Sequence, residues 1–129
     1  MNFDIFIAVI MAIETGGHPS PNFAEGKAGE LGCLQITKIC VDDCNRILGK
    51  DQFDYDDRTS EWESRHMMLV YLNHWGSRYE RLTGKEATDE ILARIWNGGA
   101  NGWKSQSTMR YLEKYRRYKA RHMERRMVQ

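Results

Sequence analysis

The sequence predicts a mainly α fold: a single compact helical domain over residues 1–129, with at most a small β element near residues 23–36. Three observations lead there. Apolar residues run almost unbroken from Ile5 to Ile13 and recur at helical spacing in later stretches. No stretch sustains a two-residue alternation. A chain of 129 residues with a 41 % apolar share suits one domain with one hydrophobic core.

The first helix is expected from Asn2, a suitable N-cap, to Ile13, with Glu14 at its last turn. Residues 15–30 carry four Gly, two Pro, Ser20 and Asn22, which makes a loop longer than a simple connection needs. Leu31 to Ile36 is a short apolar piece, either a brief strand or the approach to the next helix. Thr37 can cap a helix over Lys38 to Leu48, stopped by Gly49. Asp51 to Asp57 is an acidic loop without the spacing or central Gly of a calcium-binding hand. Ser60-Glu61-Trp62-Glu63 reads as a capping box. The helix behind it meets Gly76 and is expected to bend there before Tyr79 and Leu82. Thr83-Gly84-Lys85 is a turn. Thr88 or Asp89 caps a helix through Ile91, Leu92, Ile95 and Trp96, broken by Asn97 to Gly102. A last, basic helix spans about 107–126, with Leu112, Tyr115, Tyr118 and Met123 on one face.

Charge is unevenly placed. Residues 1–103 hold 10 Lys+Arg and 16 Asp+Glu, whereas residues 104–129 hold 9 and 2, giving −6 and +7 and the overall +1. A basic tail on an acidic body suggests an anionic partner: a cell-wall polymer or a membrane surface. The alternative is a solvated helix face. Nucleic acid is not expected as a partner, because there is no helix-turn-helix pattern and the body is acidic. No segment approaches the roughly 20 apolar residues of a membrane span.

Cys33, Cys40 and Cys44 are odd in number. Cys40 and Cys44 fall one helical turn apart, a poor geometry for a disulfide. All three read as small buried hydrophobes in a chain made in a reducing compartment, with no metal and no cofactor expected. The N-terminus lacks a basic segment and carries Asp4, so a signal peptide is not expected.

Glu14 is the candidate catalytic residue. A carboxyl at a helix C-terminus, beside apolar neighbours, is disfavoured as an anion, so a raised pKa is expected there. That suits a general acid near neutral pH. The plain alternative is a helix-end carboxylate with its head in water.

Three pieces occur in order: Glu14-Thr15-Gly16-Gly17; then Gly29-Glu30-Leu31-Gly32-Cys33-Leu34-Gln35-Ile36; then Trp96-Asn97-Gly98-Gly99. This arrangement resembles the lysozyme-like soluble lytic transglycosylases and goose-type lysozymes. Their pattern is E-S-G-G, G-x-x-G-x-x-Q-[IL] and Y-N-x-G. The resemblance spans roughly Ile5 to Gly102. Thr15 stands for the usual Ser and Trp96 for the usual Tyr; Glu30 and Cys33 also depart from the second motif.

The resemblance implies a lysozyme-like fold, which some schemes class as α+β. It implies a muramidase that cleaves the β-1,4 bond between N-acetylmuramic acid and N-acetylglucosamine in peptidoglycan glycan strands. Glu14 would be the acid, with Thr15, Gly32, Gln35, Trp96 and Asn97 lining the glycan site. Read as residues alone, Gln35 and Asn97 can equally bond their own chain, and Trp96 can equally be core. A lytic transglycosylase uses one glutamate as acid and then base. An inverting lysozyme needs a second carboxylate about 6.5–9.5 Å away, for which Glu25, Glu30, Asp42 and Asp43 are candidates. A monomer acting on the bacterial wall in the periplasm is expected, of phage or prophage origin as an endolysin is. The rival from another class is a non-catalytic glycan-binding or structural domain.

Overall fold

The computed structural model describes residues 1–128; Gln129, the last residue of the expected domain, lies outside the described residues. Five α-helices are present among them: α1 Phe3–Thr15, α2 Lys38–Leu48, α3 Glu61–Thr83, α4 Asp89–Gly98 and α5 Met109–Met127. Four of the five helices start where the sequence offers a side-chain acceptor; α5 has no side-chain cap. Asn2 Oδ1 accepts the Ile5 N–H at 3.2 Å, Thr37 Oγ1 that of Cys40 at 3.1 Å, and Ser60 Oγ that of Glu63 at 3.2 Å. Thr88, rather than Asp89, caps α4 through the Ile91 N–H at 3.4 Å. Each cap satisfies a donor that the first helical turn leaves unpaired.

Two boundaries differ from expectation. α3 runs unbroken through Gly76 for 23 residues. Gly76 serves packing there: a methyl group on it would lie 3.0 Å from Leu92 Cδ2. α4 continues two residues past Trp96, so Asn97 and Gly98 belong to its last turn, and Gly99 ends it.

The chain divides into two compact units, residues 14–74 and residues 1–13 together with the chain from Trp75 onward. In the first, α2 and the first part of α3 carry the buried Val41, Cys44, Met67, Met68 and Leu72. Residues 20–36 lie beside them as irregular backbone. A 3₁₀ turn at Pro21–Phe23 leads into two isolated bridges, Glu25 to Leu31 and Leu31 to Ile36. These bridges are the small β element expected near residues 23–36. Ala24, Cys33, Leu34 and Ile36 are buried in this segment.

In the second unit, Phe6 of α1 packs on Tyr115 of α5 with ring centroids 5.7 Å apart. Tyr79 meets the edge of Trp103 at 5.1 Å. The α4–α5 corner is two 3₁₀ turns, Gly102–Lys104 and Gln106–Thr108. Thr108, fully buried, accepts from Arg94 Nε at 2.9 Å and donates to the Gly102 carbonyl at 2.7 Å. A Cβ on Gly98 would stand 2.4 Å from Thr108 Cγ2, so the end of α4 closes on α5 only without a side chain there.

Candidate active site

The residues of the first two motifs lie in one unit. Glu14 is half-buried in the last turn of α1. The helix ends one residue later, at Thr15, and Gly16-Gly17 turn the chain, with the His18 N–H donating to the Thr15 carbonyl at 3.0 Å. Thr15 faces inward. Its hydroxyl donates to the Cys33 carbonyl at 3.2 Å, in a buried contact. The residue beside Glu14 is therefore tied to the middle of the second motif.

That motif is a tight turn rather than a strand. Leu31 and Ile36 exchange both backbone bonds at 3.1 Å, and the Gln35 N–H closes on the Gly32 carbonyl at 3.0 Å. Gly32 has φ +89°, and a Cβ on it would fall 1.8 Å from the Arg58 carbonyl oxygen. Only glycine fits both the angle and the approach. Gln35 is the one described non-glycine residue with positive φ, at 53°. Such a backbone costs on the order of 1 kcal/mol and persists where its surroundings hold it. Here the side chain does so: Gln35 Nε2 donates to the Ala24 carbonyl at 3.0 Å and the Gly32 carbonyl at 2.9 Å.

Of the two readings open for the Gln35 amide, its donors take the local one. Both amide hydrogens of Gln35 are spent on its own loop, because irregular backbone leaves carbonyls that need donors. The side chain can offer a ligand only its carbonyl oxygen. That oxygen and the Glu30 carboxylate stand over Gly26, where a Cβ would lie 2.1 Å from Glu30 Oε2 and 2.8 Å from Gln35 Oε1.

The four candidate second carboxylates have different surroundings. Asp42 accepts the Tyr55 hydroxyl at 2.9 Å. Asp43 pairs with Arg46. Glu25 is exposed and bridges Leu31 through its backbone. Glu30 holds one oxygen, Oε1, buried and without a hydrogen-bond partner.

Arg58 is a site residue that sequence reasoning missed. It is buried, at 5 % exposure, in the 3₁₀ turn Tyr55–Thr59, which also holds Asp56 and Asp57 and follows Asp54. Its guanidinium donates to the carbonyls of Tyr55 at 2.8 Å, Gly29 at 3.1 Å and Ile36 at 3.1 Å. Its own carbonyl accepts the Ser64 hydroxyl at 3.1 Å. An arginine in an Asp-rich run reads as a solvated counter-charge. No local signal marks it: the need arises in the bridge-poor stretch 24–36, whose carbonyls take a fork of donors from elsewhere in the chain.

The cysteines are free; Cys33 and Cys44 are buried and Cys40 half-buried. Burial pushes the Cys33 thiol up to about 11, with the nearby Glu61 carboxylate adding to it. The Cys40 thiol is raised by its hydrogen bond with Cys44 and by burial. Thiols held protonated are poor nucleophiles. Among the described residues, no three His, Cys, Asp or Glu side chains converge as metal ligands.

Trp96 and Asn97 belong to the other unit, in the last turn of α4, Trp96 half-buried and Asn97 exposed. That unit also has a cavity of about 230 Å³ beside Phe6, Asp89, Tyr115 and Lys119. Its polar groups bond one another: Asp89 Oδ2 accepts Tyr115 Oη at 2.8 Å and Lys119 Nζ at 2.7 Å.

Compared with protein-family models, curated proteins and solved structures, the chain matches none. Among the described residues, no helix is long and apolar enough to cross a membrane.

Proposed function

We propose that this chain is a peptidoglycan-cleaving enzyme of the lysozyme-like type, acting as a lytic transglycosylase with Glu14 as its acid and base. The observation that carries the reading is the bond from Thr15 to the Cys33 carbonyl. It couples the residue next to the candidate acid to the turn of the second motif. That turn holds a strained Gln35 and a Gly32 that admits no side chain. Strain held in place by a dedicated side chain is characteristic of functional loops, and a helix end gives a carboxyl a fixed position.

In the proposed reaction, the Glu14 carboxyl donates its proton to the glycosidic oxygen as the bond from that oxygen to muramic C1 breaks. The resulting carboxylate takes the proton of the muramic C6 hydroxyl. The C6 oxygen then bonds C1 and closes a 1,6-anhydro ring, so no water is consumed. The resemblance assigns Trp96 and Asn97 to the glycan site. A phage or prophage lysis role accords with the same reading.

Hydrolysis is the second outcome, and Glu30 favours it. Its buried, unpartnered oxygen makes it the candidate base for water, whereas Asp42 and Asp43 are already engaged.

The test is mass spectrometry of muropeptides released from purified cell walls. The transglycosylase gives ends one water lighter than hydrolysis does. Glu14→Gln is expected to reduce release by at least about a hundredfold with an unchanged circular dichroism spectrum. If wild-type protein releases nothing, the enzyme reading fails and a glycan-binding or structural domain replaces it.

A further inference from the structure

Seven of the nine cations of the basic tail fall into two sets; of the other two, Lys104 lies 5.5 Å over the Trp103 ring and Arg126 is exposed on another side of α5. Arg116 and Lys119 turn to α4, where Arg116 holds Glu90 at 2.9 Å and Lys119 holds Asp89 at 2.7 Å. The second set is Arg110, Lys114, Arg117, Arg121 and Arg125, all exposed. Among the described residues none of these five is ion-paired. They recur every three or four residues along α5. At helical pitch they fall in a strip about 80° wide and about 22 Å long. Tyr111, Leu112 and Tyr115, which are buried, lie on a different side of the helix. Glu113 and Glu124 border the strip without dividing it.

We infer that this row is a docking surface for an anionic phospholipid bilayer. Charge complementarity is the first reason. A fluid field of headgroups moves laterally to meet a straight row of cations, so no matching phosphate spacing is required. Clusters of four to eight Lys and Arg on one helix face are the usual size for such binding. The surroundings decide against a nucleic acid. Single strands bind where aromatic faces stand open for stacking, but Tyr111 and Tyr115 are buried, and Arg121 lies 5.1 Å over the Tyr118 ring. The tip of the helix adds Met127 at 84 % and Val128 at 85 % exposure. Apolar side chains beside a basic face suit the headgroup boundary and gain nothing from a hydrated polyanion. The strip itself has no apolar residue, so the contact is adsorption at the surface and salt weakens it.

The experiment is sedimentation of the full chain with vesicles of phosphatidylcholine alone or mixed with phosphatidylglycerol, at low and at physiological salt. Wild-type protein is expected to bind the mixed vesicles and not the neutral ones. Each strip cation contributes about fivefold, so Arg110→Gln with Arg117→Gln and Arg121→Gln lowers binding by on the order of a hundredfold. These positions are exposed, and circular dichroism checks the fold. A neighbouring pair separates the strip from net charge: Arg117→Gln is expected to lose about fivefold, while Arg116→Gln, off the strip, changes little. Equal losses for that pair, or no binding of wild type to anionic vesicles, would overturn the assignment. So would tighter binding to duplex DNA than to vesicles at the same salt. Wall cleavage is a separate readout, so failure of one leaves the other standing.

Discussion

The turn at residues 24–36 and the α4–α5 pair are both well anchored, but by opposite means. In the turn, side chains bond backbone. Gln35 donates to Ala24 and Gly32, Arg58 donates to Gly29 and Ile36, and Thr15 donates to Cys33. In the helix pair, side chains bond side chains across two faces: Asp89 with Lys119 and Tyr115, Glu90 with Arg116. The reason is where each region's backbone hydrogen bonds go. A helix satisfies its own carbonyls, and its side chains are left to meet a neighbour. A turn with two bridges leaves carbonyls over, and long polar side chains must reach them. The turn should therefore fail abruptly when one anchor is lost, and the helix pair gradually.

The largest effect is expected at Gly32. Gly32→Ala forces a methyl into the Arg58 carbonyl at a backbone angle that alanine resists. The cost should be about 3–5 kcal/mol in urea denaturation. A loss below about 1 kcal/mol would mean that the turn yields easily, and the contrast with the helix pair would disappear.

Arg58→Met comes next. It keeps bulk but leaves the Tyr55, Gly29 and Ile36 carbonyls without their donor, at about 3 kcal/mol. Arg58→Lys should recover little, because one ammonium cannot span the fork. Limited proteolysis should then cut between residues 24 and 36 before any site in α4 or α5.

The smallest effect belongs to the helix pair. Burial alone would raise the Asp89 carboxyl, but hydrogen bonds from Lys119 and Tyr115 outweigh it and hold it below its usual 3.8. A carboxyl lowered by folding stabilises the fold fully above its unfolded value. That contribution is lost as pH falls through the lower, folded value. Asp89→Asn should therefore cost about 1–2 kcal/mol at neutral pH. It should also flatten the decline of melting temperature below about pH 4. An unchanged acid limb would show that the pair does not carry the corner.

Legibility in the sequence divides along the same line. The five helices could be read because caps and apolar spacing are local. Thr37 and Gly49 bound α2, and Thr88 starts α4, as their residue types require. The candidate site was legible as Glu14 beside a two-glycine turn and as a glycine-rich second motif. Glycine advertises positions that exclude a side chain, although not what excludes it. Arg58 was not legible, because nothing local separates a buried arginine from a solvated one. Gln35 was visible as a motif residue, but whether its amide meets a ligand or its own loop was left open.

By itself, then, the sequence determined the helical class, the capped starts of α1 to α4, and the placement of Glu14 in a last turn. It also determined that the chain's cations gather near one end. Each of these follows from neighbours within a few residues. Only the tertiary structure decided which cations are spent. Arg116 and Lys119 neutralise α4, Arg58 props the turn, and five others are left in a row along α5. Charge pairing depends on which surfaces meet, and residues 26 to 30 positions apart meet only when the chain is folded.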